Sequence, residues 1–143
     1  MKPAKYIILL FIISQLIGCS SEKSPSQVYD EYNMKVINGL SFEEDKAYYS
    51  KRKQEEVESK FPQYMKQMGK SHTEVIEVYL NVSREVARCK EITLVSEVID
   101  ANIAILEYSQ KDICGNESSS QENQKIKMVN ENGWKIDDIE IGL

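Results

Sequence analysis

A chain of 143 residues, 41% of them hydrophobic, has the length and apolar content for one domain with one core. Its 23 acidic residues outweigh 18 basic ones, a formal charge of −5, which argues against nucleic acid or anionic lipid as partners recruited through net charge. With one histidine, three cysteines and no Cys-x-x-Cys spacing there is no zinc motif, and neither a metal nor a cofactor is expected.

The amino terminus, Met1-Lys2-Pro3-Ala4-Lys5, is positively charged. Tyr6 to Ile17 follows without a charge, and ten of its twelve residues are apolar. A membrane span needs about 20 apolar residues, so this stretch suits the core of a signal peptide better than a stable transmembrane helix.

The stretch ends in Leu16-Ile17-Gly18-Cys19, which resembles the lipobox of bacterial lipoproteins. The resemblance implies a signal peptide over residues 1–18, cleavage before Cys19, a diacylglyceryl group on the Cys19 thiol and further acylation of the new amino terminus. One acyl chain holds a protein only marginally, whereas two or three would anchor it to a membrane. Ser20 follows the anchor. In a Gram-negative host a residue there other than Asp implies the outer membrane, with the domain facing the periplasm. Lys2 and Lys5 leave with residues 1–18, so 16 basic residues then face 23 acidic ones, a formal charge of −7. The polar run up to Pro25 reads as a tether, which assigns 19–25 to the lipidated Cys and tether and 26–143 to the domain.

Helical signals fill residues 26 to 88. Ser24 or Ser26 caps a first helix, with Pro25 near its start; Val28, Tyr29, Tyr32, Val36 and Ile37 share a face, and Gly39 ends it. Ser41 with Glu44 forms a capping box for a short helix whose apolar side is Phe42, Ala47 and Tyr48. Ser50 starts a third, Lys51 to Lys60, anchored by Val57 and Phe61 and interrupted by Pro62. Ser71 with Glu74 opens a fourth, carrying Val75, Ile76, Tyr79, Leu80, Val82 and Val86.

From Glu91 the period changes. Ile92, Leu94, Val95, Val98 and Ile99 form a β-branched run, Asp100-Ala101-Asn102 a turn, and Ile103, Ile105, Leu106 and Tyr108 the return strand. A loop at Gly115 to Gln121 precedes a second hairpin: Lys125 to Val129, the turn Asn130-Glu131-Asn132-Gly133, then Trp134 to Ile141. Ile136 and Ile139 are out of phase, and a bulge near Asp137-Asp138 would turn both inward. Helices first and about four antiparallel strands last predict an α+β domain, with the helices packed on one face of a curved sheet that wraps the long helix.

This order, with the ending Asn132-Gly133-Trp134-Lys135-Ile136-Asp137-Asp138-Ile139, resembles the cone-shaped superfamily of nuclear transport factor two, scytalone dehydratase and ketosteroid isomerase. The resemblance covers roughly residues 25–143. It implies a cone-like sheet able to enclose a pocket, in which the enzymes of the superfamily use an Asp, His or Tyr.

If the first hairpin turns at Ala101-Asn102, Ile99 faces Ala104. Cys89 lies ten residues before the first and Cys114 ten after the second, so an unbroken register sets them opposite one another. In an exported chain that pair is expected as a disulfide. Two free buried thiols are the alternative.

No Ser–His–Asp set or phosphate loop is present, and no catalytic residue is assigned. His72, beside the Ser71 cap, is expected at the surface. Tyr29, Tyr32, Tyr48, Tyr49 and Tyr79 either line a pocket, together with Trp134, or pack in the core with a polar tip at the surface. Lys51-Arg52-Lys53-Gln54-Glu55-Glu56 balances its own charge and is no nucleic-acid patch. The leading expectation is a membrane-anchored, non-catalytic envelope module that binds a small apolar ligand or a partner protein. An isomerase- or dehydratase-like enzyme and a structural lipoprotein acting as a homodimer remain the alternatives.

Overall fold

The structure, a computed structural model, describes residues 22–115 and 122–142. The expected signal peptide, Cys19 and residues 116–121 of the polar loop lie outside the described residues. Four helices come first: α1 (Pro25–Asn38), α2 (Phe42–Tyr48), α3 (Lys51–Met68) and α4 (His72–Arg88). Each begins at a serine (Ser24, Ser41, Ser50, Ser71) whose side chain accepts a backbone N–H of the first turn. Gln27, Glu44 and Glu74 close three of these into capping boxes. Such a cap contributes about 1 kcal/mol, so the helix starts are locally encoded. Pro25 is the first residue of α1, one position before the expected domain boundary. Ser26 instead donates its hydroxyl and its N–H to the Glu97 carboxylate.

Pro62 does not interrupt α3, contrary to the reading of the sequence; the helix runs on to Met68 and ends at Gly69, whose φ of +64° is left-handed. A proline inside a helix removes one hydrogen bond and strains the preceding turn, at about 3 kcal/mol. Here Pro62 is exposed, while its neighbour Phe61 is 2% exposed and packs edge-on between the rings of Phe42 (5.4 Å) and His72 (5.1 Å). That burial holds the helix together across the break.

The strands β1 (Lys90–Asp100), β2 (Ile103–Asp112), β3 (Glu122–Asn130) and β4 (Trp134–Gly142) form an antiparallel meander in the order β1-β2-β3-β4. The domain is therefore α+β, with helices on one face of a curved four-stranded sheet. In β3–β4, Met128 faces Ile136 and Lys127 faces Asp138, so Asp137 is the extra residue of a bulge. Ile136 and Ile139 both turn toward the helices, as their phase required.

β1 contains a second bulge, at Val95, which the sequence did not signal: Leu94 faces Tyr108, but Ser96 faces Glu107. The register beyond it is shifted by one, and Lys90 faces Asp112. The Cys89–Cys114 disulfide is present, with the Cα atoms 5.0 Å apart, yet not through straight cross-strand pairing. Cys89 O accepts the N–H of Ile113 at 2.9 Å, and the Asp112 carboxylate accepts the N–H of Cys114, which curls the chain back by the missing residue.

The core joins Tyr29, Tyr32 and Val36 of α1 to Ala104, Leu106, Tyr108, Ile126, Met128 and Ile136 of the sheet. The helix lying across the sheet is α1, which meets β1, β2 and β4; the longest helix, α3, packs on α4 and β4. The α2–α3 junction runs beside β4, where Ser50 N–H donates to Ile136 O at 2.8 Å. The opposite edge, β1, has no such bridge among the described residues.

Candidate functional site

The six residues singled out as pocket candidates do not share one pocket. Tyr29, Tyr32 and Tyr49 are buried in the core, where Tyr29 packs on Tyr108 with ring centres 5.1 Å apart. Tyr79 reaches the core from α4, while Tyr48 and Trp134 line a groove on the surface. Leu106, Ile126, Met128 and Ile136, each 0% exposed, fill the space between helices and sheet.

Within that filled interior lies a closed polar ring. Asp45, 2% exposed, accepts the hydroxyls of Tyr32 and Tyr79, each at 2.9 Å, one on either carboxylate oxygen. Tyr49 completes the circuit, 2.7 Å from the Tyr32 hydroxyl and 3.3 Å from that of Tyr79. Burial raises the Asp45 pKa, and the hydrogen bonds from Tyr79 and Tyr32 partly oppose this. The tyrosines are pushed far above their ordinary value, first by burial and then by neighbouring charge. Asp45 is not among the residues the sequence singles out, and Ala47, expected on the apolar side of α2, is exposed. The signal was present: Asp45 shares a helical face with Phe42, Tyr48 and Tyr49. Chemically the ring ties α1, α2 and α4 together, with both carboxylate oxygens of Asp45 engaged by tyrosine hydroxyls.

A second polar cluster surrounds the bulge. Asp137 accepts from Ser50 Oγ (2.7 Å) and Arg52 Nε (2.9 Å) and pairs with Lys127 (3.1 Å), and its carbonyl oxygen accepts from Arg52 Nη2. Burial would raise its pKa, but the bonds from Arg52, Ser50 and Lys127 prevail and hold it at about 2. The Asp137 cluster therefore fixes α3 to β4. His72 is exposed beside Phe61, and the neighbouring carboxylate Glu58 is already paired with Lys46 at 2.6 Å. Among the described residues no group of three or more His, Cys, Asp or Glu could hold a metal ion, and no helix is long and apolar enough to cross a membrane.

What remains open lies on the outside. The sheet register sets Val98 opposite Ile105 and Ile103 opposite Val129 on the face away from the helices. Val98 is 61% and Ile103 40% exposed. On the β1 edge, Val95 is 63% and Ile99 52% exposed, and on α4 Val82 and Val86 are also exposed, although the sequence placed both on the packing stripe. Further along the outer face the pairing becomes Glu107–Lys125–Glu140, a solvated charged row. A groove of about 420 Å³ lies at the other end of the helix layer, floored by Val28, Ala47, Tyr48 and Trp134 and rimmed by lysines and glutamates.

Compared with known protein families, with curated proteins and with solved structures, the chain gives no match.

Proposed function

We propose that the chain is a cell-envelope lipoprotein, anchored through Cys19, whose folded part is a non-catalytic module that engages a partner protein. The anchor rests on the lipobox-like segment, and the cone-like superfamily resemblance on the order of elements and the Trp134 ending. The single observation that favours a protein partner over a small apolar ligand is where the apolar surface lies. The interior is occupied by side chains, while Val98 and Ile103 stand unburied on the outer face of the sheet and Val95 and Ile99 along its β1 edge strand. An apolar patch on a sheet edge is a common docking surface for another chain. The Asp45 ring speaks for an enzyme only as a buried acid of raised pKa, and both oxygens of that acid are already held by Tyr32 and Tyr79.

The test is a photo-crosslinking residue placed at Val98 or Ile99 of the anchored chain in its own cells, with exposed Gln63 on α3 as the control position. A discrete product at the sheet positions and none at Gln63 is expected, and its mass tells a second copy from a different protein. No product at either sheet position, together with a native mass that exceeds the denatured mass by a retained small molecule, would return the reading to ligand binding.

A further inference from the structure

The groove at Tyr48 and Trp134 is not used by the proposed partner surface, and its position relative to the anchor is constrained by covalent geometry alone. Glu22 and Lys23 line it. Glu22 is three residues after Cys19, and consecutive Cα atoms are about 3.8 Å apart, so the anchor lies within about 11 Å of the groove's rim. The polar head-group layer of a bilayer is itself about 5–8 Å thick. A domain held this closely by its acyl chains keeps the Glu22–Lys23 rim of the groove near the lipid surface.

The lining suits that surface. Trp134 and Tyr48 each combine an apolar ring with a polar tip, the property that concentrates these residues at membrane interfaces. Val28 and Ala47 extend the apolar floor. The rim carries Lys23, Lys35 and Lys135 against Glu22, Glu31 and Glu44, a charge balance of zero. Lys23 is paired with Glu31, which also accepts the Tyr48 hydroxyl at 2.8 Å. Lys35 stands over the Tyr48 ring at 5.7 Å, and Lys135 donates to Ala47 O; neither makes an ion pair among the described residues. We propose that this groove is the membrane-facing end of the domain and takes the zwitterionic head group of a phospholipid, its phosphate toward Lys35 and Lys135 and its ammonium toward Glu31 and Glu44. This rests on the anchoring of Cys19. A groove of zero net charge on an acidic domain matches a net-neutral head group and gains nothing from anionic lipid.

Trp134 is the only tryptophan of the chain, so its fluorescence reports this groove alone. The experiment uses the full mature protein purified from membranes, its intact mass recorded first. It is then reconstituted into phosphatidylethanolamine–phosphatidylcholine vesicles in which part of the lipid is brominated near the head of the acyl chain. The expected result is a mass that includes lipid, a blue-shifted emission, and quenching by about twofold or more, as for an interfacial tryptophan. Lys35→Glu, an exposed change checked by its melting temperature, should lose most of the quenching while the protein still floats with the vesicles. A lipidated, vesicle-bound protein whose Trp134 is unquenched and open to acrylamide would overturn the proposal and leave the anchor intact. A mass without lipid would overturn the anchor and this inference with it. Quenching that rises with added phosphatidylglycerol would show a surface that reads anionic charge, and overturns the zwitterionic assignment.

Discussion

Replacing Asp45 by Asn keeps the shape of the buried ring and removes its charge. In the wild-type protein two tyrosine hydroxyls donate to the carboxylate, and a hydrogen bond to a charged group contributes about 1.5–3 kcal/mol. Asparagine keeps one acceptor oxygen and must rebuild the other contact with its amide as donor. It also escapes the cost of burying a carboxylate that is 2% exposed. The expected net loss near neutral pH is about 1–2 kcal/mol, against about 3–5 kcal/mol for Asp45→Ala, which strands both hydroxyls and leaves a void. The pH dependence has a definite sign. Burial raises the folded-state pKa of Asp45 above 3.8, so between the two values the folded chain binds more protons than the unfolded one. The stability contributed by Asp45 is full below that range and falls as pH rises through the folded pKa. Asp45→Asn lacks this slope, so its loss relative to wild type should be larger near pH 4 than near pH 7. Urea unfolding of both proteins at several pH values between these limits gives the comparison directly. A loss that grows with pH would refute the reasoning, because it would mean that the tyrosines hold the carboxylate below its unfolded pKa.

Asp137 carries the opposite sign: its pKa is held at about 2, so its contribution is present above about pH 4 and lost as pH falls toward 2. Asp137→Asn should cost about 2–4 kcal/mol at neutral pH, with the deficit shrinking in thermal melts taken toward pH 2. Ala101 turns the first hairpin at a φ of +52°, so Ala101→Gly should raise stability by about 0.5–1 kcal/mol in denaturant titrations. Pro62→Ala restores a hydrogen bond within α3 and should stabilise by about 1–3 kcal/mol, read as a higher melting temperature with unchanged near-ultraviolet circular dichroism. Reduction of Cys89–Cys114, 25 residues apart, should cost about 3 kcal/mol in the loop-entropy picture, and non-reducing mass analysis should find no free thiol at either position.

Much of this fold is written locally. Ser41 with Glu44 and Ser71 with Glu74 mark two helix starts by chemistry that needs no tertiary contact, and the phase conflict between Ile136 and Ile139 announces the bulge at Asp137. The departures arise where distant packing overrules a local rule. Phe61 is buried against Phe42 and His72, contacts outside its own helix, and that burial carries α3 through Pro62. Val95 lies between Leu94 and Ser96 with no Gly, Pro or Asn beside it, so no turn residue marks the bulge. An unbroken register would set Cys89 opposite Cys114; the bulge at Val95 breaks that register, and the Asp112 turn supplies the compensating residue that lets the disulfide form. Asp45 is legible in part: its spacing from Phe42, Tyr48 and Tyr49 sets it on the apolar side of α2, while its hydrogen-bond partners Tyr32 and Tyr79 come from other helices and have no local signal.

The envelope location and the membrane-facing groove both turn on the anchor at Cys19, and the intact mass of the chain isolated from its native membranes tests it most directly. The expected mass is that of residues 19–143 plus a diacylglyceryl group, with or without a further acyl chain, and Cys19→Ser should abolish the addition. A chain that keeps residues 1–18, or one cut before Cys19 with its thiol unmodified, would contradict the anchor and with it the membrane-tethered module.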